Sequence, residues 1–331
     1  MKSIIIKEIG KLELKENNIP EINENEVLVK IKSASLNHRD LWIKKGMYAG
    51  IKPDVILGSD CAGMVDKIGT NVDKNLLNKE VIINPSCNWG NNQKVQSNKY
   101  TVLGLPDHGT LAEYVKIDKD NIVIKPEHLD FDSSSALPLA GLTAYRALFS
   151  RGQVEKTDKV LITGIGGGVA LFAFQFALAL GCEVFVTSGS DDKIKKAIEM
   201  GAKGGANYKT DKWEKDFSAK YGKFDLIIDS ACGNDFNKLI DISEAGARIV
   251  FFGGTTGSIN NLSPQKVFWK QISILGTTMG SNEDFEKMIA FVNENKIVPV
   301  IDKVFNFEDF EEAFERMNKA EQFGKIVLKI S

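Results

Sequence analysis

The chain has 331 residues, of which 43% are hydrophobic, and its 42 basic and 44 acidic side chains leave a net charge of -2. This length predicts two domains, because one hydrophobic core rarely supports so long a chain. The balanced charge argues against nucleic acid or a membrane surface as a partner. The 4 cysteines stand singly, without metal-ligand spacing, and no signal-peptide pattern opens the sequence, so we expect a protein of the reducing cytoplasm.

The N-terminal part is predicted to be a β-rich domain with a barrel-like arrangement. Short β runs, separated by Gly, Asn, Asp and Pro, occupy residues 4–6, 27–31, 63–68, 81–83 and 113–117. A short helix is predicted over residues 39–45. The asparagine-rich residues 84–99 are expected to form a surface lobe or long loop, with Trp89 as an anchor.

From residue 131 the pattern alternates between helix and strand. A predicted helix at 133–148 precedes strands at 160–162, 183–187, 226–229, 248–252 and 272–277, with helical segments between them. This alternation predicts an α/β domain with a doubly wound parallel sheet over residues 129–280. The tail has no place in that sheet and is expected to return to the first domain, which then comprises residues 1–128 and 281–331. Its predicted elements are helices at 284–295 and 307–319 and strands at 304–305 and 325–330.

A glycine-rich turn follows the first strand of the predicted α/β domain. Glycines allow the pyrophosphate of a dinucleotide to approach the backbone N–H groups at the start of the next helix, where the helix dipole favours an anion. An ordinary loop between a buried strand and a helix is the alternative interpretation. The candidate cofactor-binding residues of this turn are Gly164, Gly166, Gly167, Gly168 and Val169.

Several ordered motifs resemble one family over nearly the whole chain. GSDCAGMV at residues 58–65, LPLAGLTAYRAL at 137–148, the glycine turn and GKIVL at 324–328 together resemble the medium-chain dehydrogenase/reductase superfamily. More narrowly, they resemble its zinc-free, quinone oxidoreductase-like branch. The resemblance implies a GroES-like catalytic domain and a Rossmann domain, with the nicotinamide in the cleft between them.

The positions of the zinc ligands in the zinc alcohol dehydrogenases of that superfamily differ in this chain. Asn37 stands where those enzymes carry a Cys, and Gly58-Ser59-Asp60 replaces their Gly-His-Glu. Residues 139–141 offer no third ligand, and Cys87 alone cannot form a structural zinc site. We therefore expect no metal. His38 keeps a metal site open as an alternative, although a polar residue bordering the cleft is its more ordinary interpretation.

The second strand of the predicted Rossmann domain ends in Ser188, where NAD-selective sites carry an acid that accepts hydrogen bonds from the ribose. A hydroxyl instead suits a 2′-phosphate, with Lys193 and, by the resemblance, Tyr208 beside it, so NADP(H) is expected. Ser190 and its acidic neighbours could instead only start a helix, with Lys193 on its solvated face, and the two acids argue against a phosphate.

Further cofactor contacts are predicted where the last strands of that sheet end, because strand ends face the ligand crevice. By the resemblance, the GKIVL motif adds two more residues, although its lysine could equally lie on the surface. These candidate contacts are Gly253, Gly254, Thr277, Thr278, Met279, Gly324 and Lys325.

Without a metal, oxidation of a simple alcohol lacks its usual Lewis acid, whereas a conjugated acceptor needs only hydrogen-bond donors for the charge that spreads to its oxygen. We therefore expect reduction of a quinone or an α,β-unsaturated carbonyl substrate. The candidate catalytic donors are Asn37 and Tyr48, which the resemblance places at the border of the pocket, while Tyr48 as a partly buried aromatic and water as the proton source remain alternatives.

Two other functions remain open: a zinc-dependent alcohol dehydrogenase of the same fold, and a non-catalytic NADPH-binding protein that senses, or binds a partner or RNA. In the family, sixth strands of two subunits often pair, and residues 272–276 are apolar. We expect a homodimer.

Overall fold

The computed structural model describes residues Met1 to Ile330, and these divide into two compact units. The strand-rich unit comprises Met1–Leu142 together with the chain from Gly280 onward. The alternating unit is Thr143–Met279. Residues 129–142, which the sequence assigns to the alternating domain, group with the strand-rich unit.

The strands are named in chain order. They are β1 (Lys2–Glu8), β2 (Lys11–Glu16), β3 (Glu26–Ser35), β4 (Asp60–Ile68), β5 (Glu80–Ile83), β6 (Ser86–Cys87), β7 (Thr101–Val102), β8 (Tyr114–Asp118), β9 (Ile122–Ile124), β10 (Lys159–Ile162), β11 (Glu183–Ser188), β12 (Gly204–Asn207), β13 (Phe224–Asp229), β14 (Ser243–Phe251), β15 (Ser273–Gly276), β16 (Ile301–Asn306) and β17 (Lys325–Lys329).

The helices follow the same order. They are α1 (His38–Lys44), α2 (Phe131–Ala136), α3 (Pro138–Tyr145), α4 (Gly168–Leu180), α5 (Asp191–Glu199), α6 (Trp213–Tyr221), α7 (Phe236–Asp241), α8 (Pro264–Lys270), α9 (Asn282–Glu294) and α10 (Phe310–Asn318). None of the helices within residues 1–330 is long and apolar enough to cross a membrane.

The strand-rich unit is built on β3, the long strand at the centre of its largest sheet. That sheet has the order β16-β17-β3-β4-β5-β9 across the described residues, and β8 also pairs with β3. Strand β17 runs antiparallel to β3, with Val327 opposite Ser35. The C-terminal strand therefore lies in the sheet of the N-terminal residues, as the lack of a place for it in the other sheet predicted. Helix α2 packs against β3, β4 and β17.

The lobe predicted at residues 84–99 is ordered by a small sheet and an aromatic pair. Strand β6 lies inside it and pairs with β7 just beyond it. Trp89 is buried, and its ring meets that of Tyr100 edge-on with the ring centroids 5.4 Å apart. Trp89 is therefore an anchor, as predicted from the sequence.

The alternating unit holds a parallel sheet whose described strands have the order β12-β11-β10-β13-β14-β15. Its predicted strands are present, and β12 is an additional strand that the sequence pattern missed. The GGAN sequence of β12 lacks the β-branched and aromatic residues that indicate a strand, so only pairing with β11 defines it. The strand order changes direction at β10: β11 and β12 are added on one side of it, and β13, β14 and β15 on the other. At such a switch point a crevice forms at the carboxyl ends of the strands.

The helix predicted at 133–148 is broken in the structure. It consists of α2, α3 and a π-helical turn at Arg146–Arg151. The break falls at Pro138, which lacks the N–H group that an uninterrupted helix needs. Helix α4 is apolar apart from Gln175 and carries the buried side chains Phe172, Phe174 and Phe176, so it is a core helix that fixes the turn before it.

Candidate functional site

The glycine turn joins the end of β10 to the start of α4. Gly164 (φ 66°) and Gly166 (φ 116°) lie in the left-handed region, which side chains rarely adopt. Gly167 has ordinary extended backbone, and a Cβ atom there would meet only the carbonyl oxygen of Gly164, at 3.8 Å. No packing among the described residues requires a glycine at position 167. The space beside it is therefore open to a ligand.

The start of α4 presents backbone N–H groups at this turn. Gly167, Gly168 and Val169 are partly exposed, and no side chain caps the helix. The first N–H groups of a helix have no partner within it and attract anions. The structure thus brings the predicted turn residues together in a cradle that fits the pyrophosphate of a dinucleotide.

A buried carboxylate ties the turn to the neighbouring strand. The Thr163 hydroxyl donates to Asp229 Oδ1 at 2.6 Å, and the Cys232 backbone N–H donates to Asp229 Oδ2 at 2.7 Å. Burial raises the pKa of Asp229, and these donors oppose the increase. The network fixes the ends of β10 and β13 relative to each other, and nothing in the sequence pattern indicated it.

Ser188 ends β11 beside the glycine turn and is buried. Its Oγ lies 3.4 Å from the Ile165 carbonyl oxygen and 3.3 Å from the Ser190 backbone nitrogen. Tyr208 approaches from the following strand, because its N–H donates to the Ser188 carbonyl oxygen at 3.1 Å. A Cβ atom on Gly189 would lie 2.8 Å from both the Tyr208 hydroxyl oxygen and Cε of Lys209. Lys209 is a cationic residue of this cluster that sequence reasoning missed, although it adjoins Tyr208.

Lys193 reaches back to the glycine turn from α5. Its Cδ would lie 2.8 Å from a Cβ atom on Gly166, so its alkyl chain passes beside the turn and is half-buried. The side chain is thus partly buried against the turn and partly exposed, so the alternative of a solvated position on α5 stays open. Ser190 precedes α5 without a side-chain capping bond, and Asp191 accepts from Asn207 Nδ2 at 2.9 Å.

The other predicted contacts of this unit follow β14 and β15. A Cβ atom on Gly253 would lie 2.7 Å from the Ser230 carbonyl oxygen, whereas one on Gly254 would meet nothing closer than 4.0 Å. The Thr277 hydroxyl oxygen is buried and has no hydrogen-bond partner among the described residues. Thr278 is exposed and Met279 is buried. An orphaned hydroxyl at a strand end fits a polar ligand there.

In the strand-rich unit, three buried side chains close a ring of hydrogen bonds. The Lys325 ammonium donates to Asn37 Oδ1 at 2.7 Å and to Asp60 Oδ2 at 3.0 Å. Asn37 Nδ2 donates to the same Asp60 oxygen at 2.9 Å. The other Asp60 oxygen accepts the Leu139 backbone N–H at 2.8 Å. The Lys325 and Asp60 side chains are 4% and 0% exposed, so this is a buried ion pair.

A second buried carboxylate lies one helical turn away. Asp40 accepts the Asn37 backbone N–H at 2.8 Å and the Gly58 N–H at 3.3 Å. Burial raises the pKa of Asp40 to about 6. Asp40 thus holds the backbone of Asn37 while the ring holds its side chain.

Tyr48 lies outside the ring and is 43% exposed. The Arg39 guanidinium lies 5.4 Å from the centre of its ring. Arg39 also donates to the Leu105 and Leu103 carbonyl oxygens, at 2.6 and 2.9 Å, so it is held in place. The structure therefore does not bring the two predicted catalytic donors, Asn37 and Tyr48, into one hydrogen-bonded group. The alternative of a partly buried aromatic also describes Tyr48.

The two C-terminal candidates belong to the strand-rich unit. Gly324 has φ 120°, and a Cβ atom there would lie 2.4 Å from the Val300 carbonyl oxygen, so tight packing requires glycine. Lys325 is buried in the ring. The interpretation of Lys325 as a surface residue is therefore wrong, because β17 is an inner strand of the sheet and turns this side chain inward.

The zinc-ligand positions hold donors that do not suit zinc. Ser59 donates its hydroxyl to the Leu103 carbonyl oxygen at 2.7 Å, and Asp60 is already neutralised by an ammonium group. Catalytic zinc sites combine thiolates, imidazoles and carboxylates; these positions offer no thiolate or imidazole, and the fixed cation beside the Asp60 carboxylate repels a metal ion. No cluster of three or more His, Cys, Asp or Glu side chains able to hold a metal occurs in residues 1–330. His38 is exposed at the start of α1. The residues present do not fit a catalytic zinc.

Comparison with known proteins identifies the family. The model for the alcohol dehydrogenase GroES-like domain matches residues 23–127, and the model for zinc-binding dehydrogenases matches residues 168–294. A zinc-type alcohol dehydrogenase-like protein, YogA, of Leptosphaeria maculans is 35% identical, with 94% of this chain and 92% of that protein covered. A similar protein of Schizosaccharomyces pombe is 34% identical, with 96% and 95% covered.

A crystal structure of an NAD-dependent alcohol dehydrogenase covers 100% of both chains, with 33% identity and a TM-score of 0.94. The fold is therefore a GroES-like domain and a Rossmann domain, as predicted. The chain belongs to the medium-chain dehydrogenase/reductase superfamily, and it is an oxidoreductase of the NAD(P)-dependent kind.

Proposed function

We propose that this protein is a metal-free oxidoreductase that uses NADPH to reduce quinones or α,β-unsaturated carbonyl compounds. The observation that carries the proposal is that Asn37 and Asp60, at positions where the zinc enzymes carry Cys and Gly-His-Glu, are held instead in a hydrogen-bonded ring with Lys325. A relative named acryloyl-coenzyme A reductase, from Sulfurisphaera tokodaii, is 28% identical over 99% of this chain. Its name supports a conjugated acceptor for this chain.

The chemistry divides between a hydride source and hydrogen-bond donors. A bound NADPH supplies the hydride that adds to the electron-poor carbon of the conjugated acceptor. Asn37 Nδ2 has two N–H groups, and Asp60 takes one of them, so the other is available to the acceptor oxygen. Stabilising the charge that develops on this oxygen is the task of the donor. The Tyr48 hydroxyl is a second candidate, and water can deliver the final proton.

The preference for NADPH rests on the cluster around Ser188. The end of β11 carries a hydroxyl where an acid would accept from the ribose of NAD. Lys193 passes beside Gly166, and Tyr208 and Lys209 lie beside Gly189. The Tyr208 backbone N–H also donates to the Ser188 carbonyl oxygen. Two ammonium groups near a 2′-phosphate would stabilise its charge. The exposed acids at the start of α5, Asp191 and Asp192, would repel a 2′-phosphate and so favour NADH.

The experiment is an acceptor panel with both nicotinamides. Purified protein is mixed with NADPH or NADH and with quinones, enones and simple aldehydes, while nicotinamide absorbance is followed. We expect oxidation of NADPH to be accelerated by quinones or enones and to be unaffected by a zinc chelator.

Zinc-dependent alcohol dehydrogenase is the second candidate function, favoured by the names of the relatives and by the 33% identical NAD-dependent enzyme. Stoichiometric zinc, with alcohol oxidation that chelation abolishes, would select it. NADPH binding without acceleration by any acceptor would instead indicate a sensing or binding protein.

We also propose that the chain forms a homodimer through β15. This strand lies at the edge of its sheet, and Phe268 and Trp269 on the preceding helix α8 are 63% and 84% exposed. Exposed strand edges and large exposed apolar groups are features of association surfaces. Together they support pairing of two copies at this edge.

A further inference from the structure

Lys325 is a buried cation whose bonds bear directly on the orientation of Asn37. Its side chain is 4% exposed, and it contacts Asn37 Oδ1 at 2.7 Å and Asp60 Oδ2 at 3.0 Å. A buried ion pair contributes little net stability compared with apolar residues, because desolvation opposes the attraction. Stability alone therefore gives a weak reason for a lysine at this position.

The ring permits one orientation of the Asn37 amide. As it stands, the amide oxygen faces the ammonium group and the amide nitrogen faces the Asp60 carboxylate. A flipped amide would set N–H groups against the Lys325 ammonium and its oxygen against the carboxylate. Both contacts would become repulsive inside the protein, where electrostatic interactions are strong.

The fixed orientation leaves one donor free. The second N–H of Asn37 Nδ2 has no acceptor among residues 1–330, and the same is true of the third N–H of the Lys325 ammonium. Asp60 differs, because its two oxygens accept from Asn37, Lys325 and the Leu139 backbone. Both oxygens of the Asp60 carboxylate thus have hydrogen-bond donors, while one N–H of Asn37 and one of Lys325 still have no acceptor within the described chain.

We propose that Lys325 is a positioning residue for the reduction, which orients the Asn37 amide so that its free N–H serves the oxygen of the acceptor. This inference rests on the proposed function, in which Asn37 acts on that oxygen. It gives Lys325 a role different from the cofactor contact expected from the sequence. Loss of a positioning residue lowers kcat and leaves the KM for NADPH unchanged, whereas loss of a cofactor contact raises that KM and leaves kcat unchanged.

The test is a double-mutant cycle in the full-length protein. Lys325→Met removes the ammonium and keeps the length of the side chain, and Asn37→Ala removes the donor. We expect each substitution to lower kcat for enone reduction by about 100- to 1,000-fold, the range for loss of one donor to a developing oxyanion. The KM for NADPH should change by less than about threefold, and the combined variant should be no slower than Asn37→Ala alone.

Two further variants provide controls. Lys329→Met removes an exposed lysine of the same strand and should leave kcat unchanged. Lys325→Arg keeps the charge and should recover at least part of the lost rate. If Lys325→Met fails to fold because Asp60 is left unpaired, Lys325→Met combined with Asp60→Asn removes the buried charge, and we expect kcat to stay low in that protein.

Several outcomes would overturn the inference. Independent, multiplicative losses in the cycle would show that Lys325 does not act through Asn37. An increased KM for NADPH with an unchanged kcat would make Lys325 a cofactor contact instead. Recovery of the full kcat when Asp60→Asn accompanies Lys325→Met would also contradict it. An inactive parent protein with every acceptor would refute the proposed function itself, and the inference would fall with it.

Discussion

Replacing Gly167 with alanine separates the needs of the fold from those of the cofactor. Gly167 has φ -76° and ψ 152°, which alanine adopts without strain, and the nearest atom to its Cβ would be 3.8 Å away. Alanine makes the unfolded chain less flexible than glycine does, which stabilises the folded protein by about 0.4–1 kcal/mol. Alanine is also the less favourable of the two at the N-cap position of a helix, which costs up to about 1 kcal/mol. The free energy of unfolding should therefore change by less than about 1 kcal/mol.

Binding should respond very differently. The added methyl group occupies the open space where the pyrophosphate must approach the N–H groups of α4. One lost hydrogen bond to a charged group costs about 1.5–3 kcal/mol, so the Kd for NADPH should rise roughly 10- to 150-fold. Gly166→Ala is not an equivalent test, because φ 116° and the contact with Lys193 would also disturb folding.

The assay pairs denaturant unfolding with titration of NADPH, followed by nicotinamide fluorescence. Each Gly167→Ala sample is measured in both ways, so that unfolding serves as the control for binding. A variant that is as stable as the parent and binds NADPH with the parental Kd would refute the placement of the dinucleotide at this turn. A variant that unfolds easily would refute the structural reasoning instead.

Four other substitutions test separate parts of the account. Ser188→Asp should reverse the preference toward NADH, because a carboxylate repels a 2′-phosphate, and an unchanged ratio of kcat/KM values would remove Ser188 from the site. Lys193→Ala should raise the Kd for NADPH about tenfold and leave that for NADH nearly unchanged, as titrations of both would show. Since burial raises the pKa of Asp40 from 3.8 to about 6, its stabilising contribution is complete below pH 4 and is lost as the pH rises through 6. The free energy of unfolding, measured with denaturant, should therefore fall by about 2 kcal/mol more in the parent than in Asp40→Asn between pH 4 and pH 7. Trp269→Ser should shift the mass measured by light scattering from dimer toward monomer, and an unchanged mass would argue against the β15 edge.

The glycine turn and most of the parallel sheet were predictable, because local pattern determines them. Buried strands such as β10 are short apolar runs, and glycine is the residue that most readily adopts the left-handed backbone of Gly164 and Gly166. Strand β12 was not predictable, since its small residues form a strand only through pairing with β11. The break at Pro138 could have been predicted, because the N–H that proline lacks is a local property.

The ring around Asn37 could not be predicted from local pattern. Lys325 lies 288 residues from Asn37 and 265 from Asp60 along the chain. Their contact depends on antiparallel pairing of β17 with β3 and of β3 with β4. A lysine at the start of a strand is usually exposed, and only the inner position of β17 in the sheet buries it.

The most direct test of metal-free reduction measures zinc content and enone-dependent NADPH oxidation in one preparation, before and after treatment with a chelator. The account predicts no zinc bound to the chain and the same rate in both samples. Zinc present at one ion per chain, with a rate that falls on chelation and returns when zinc is restored, would contradict it.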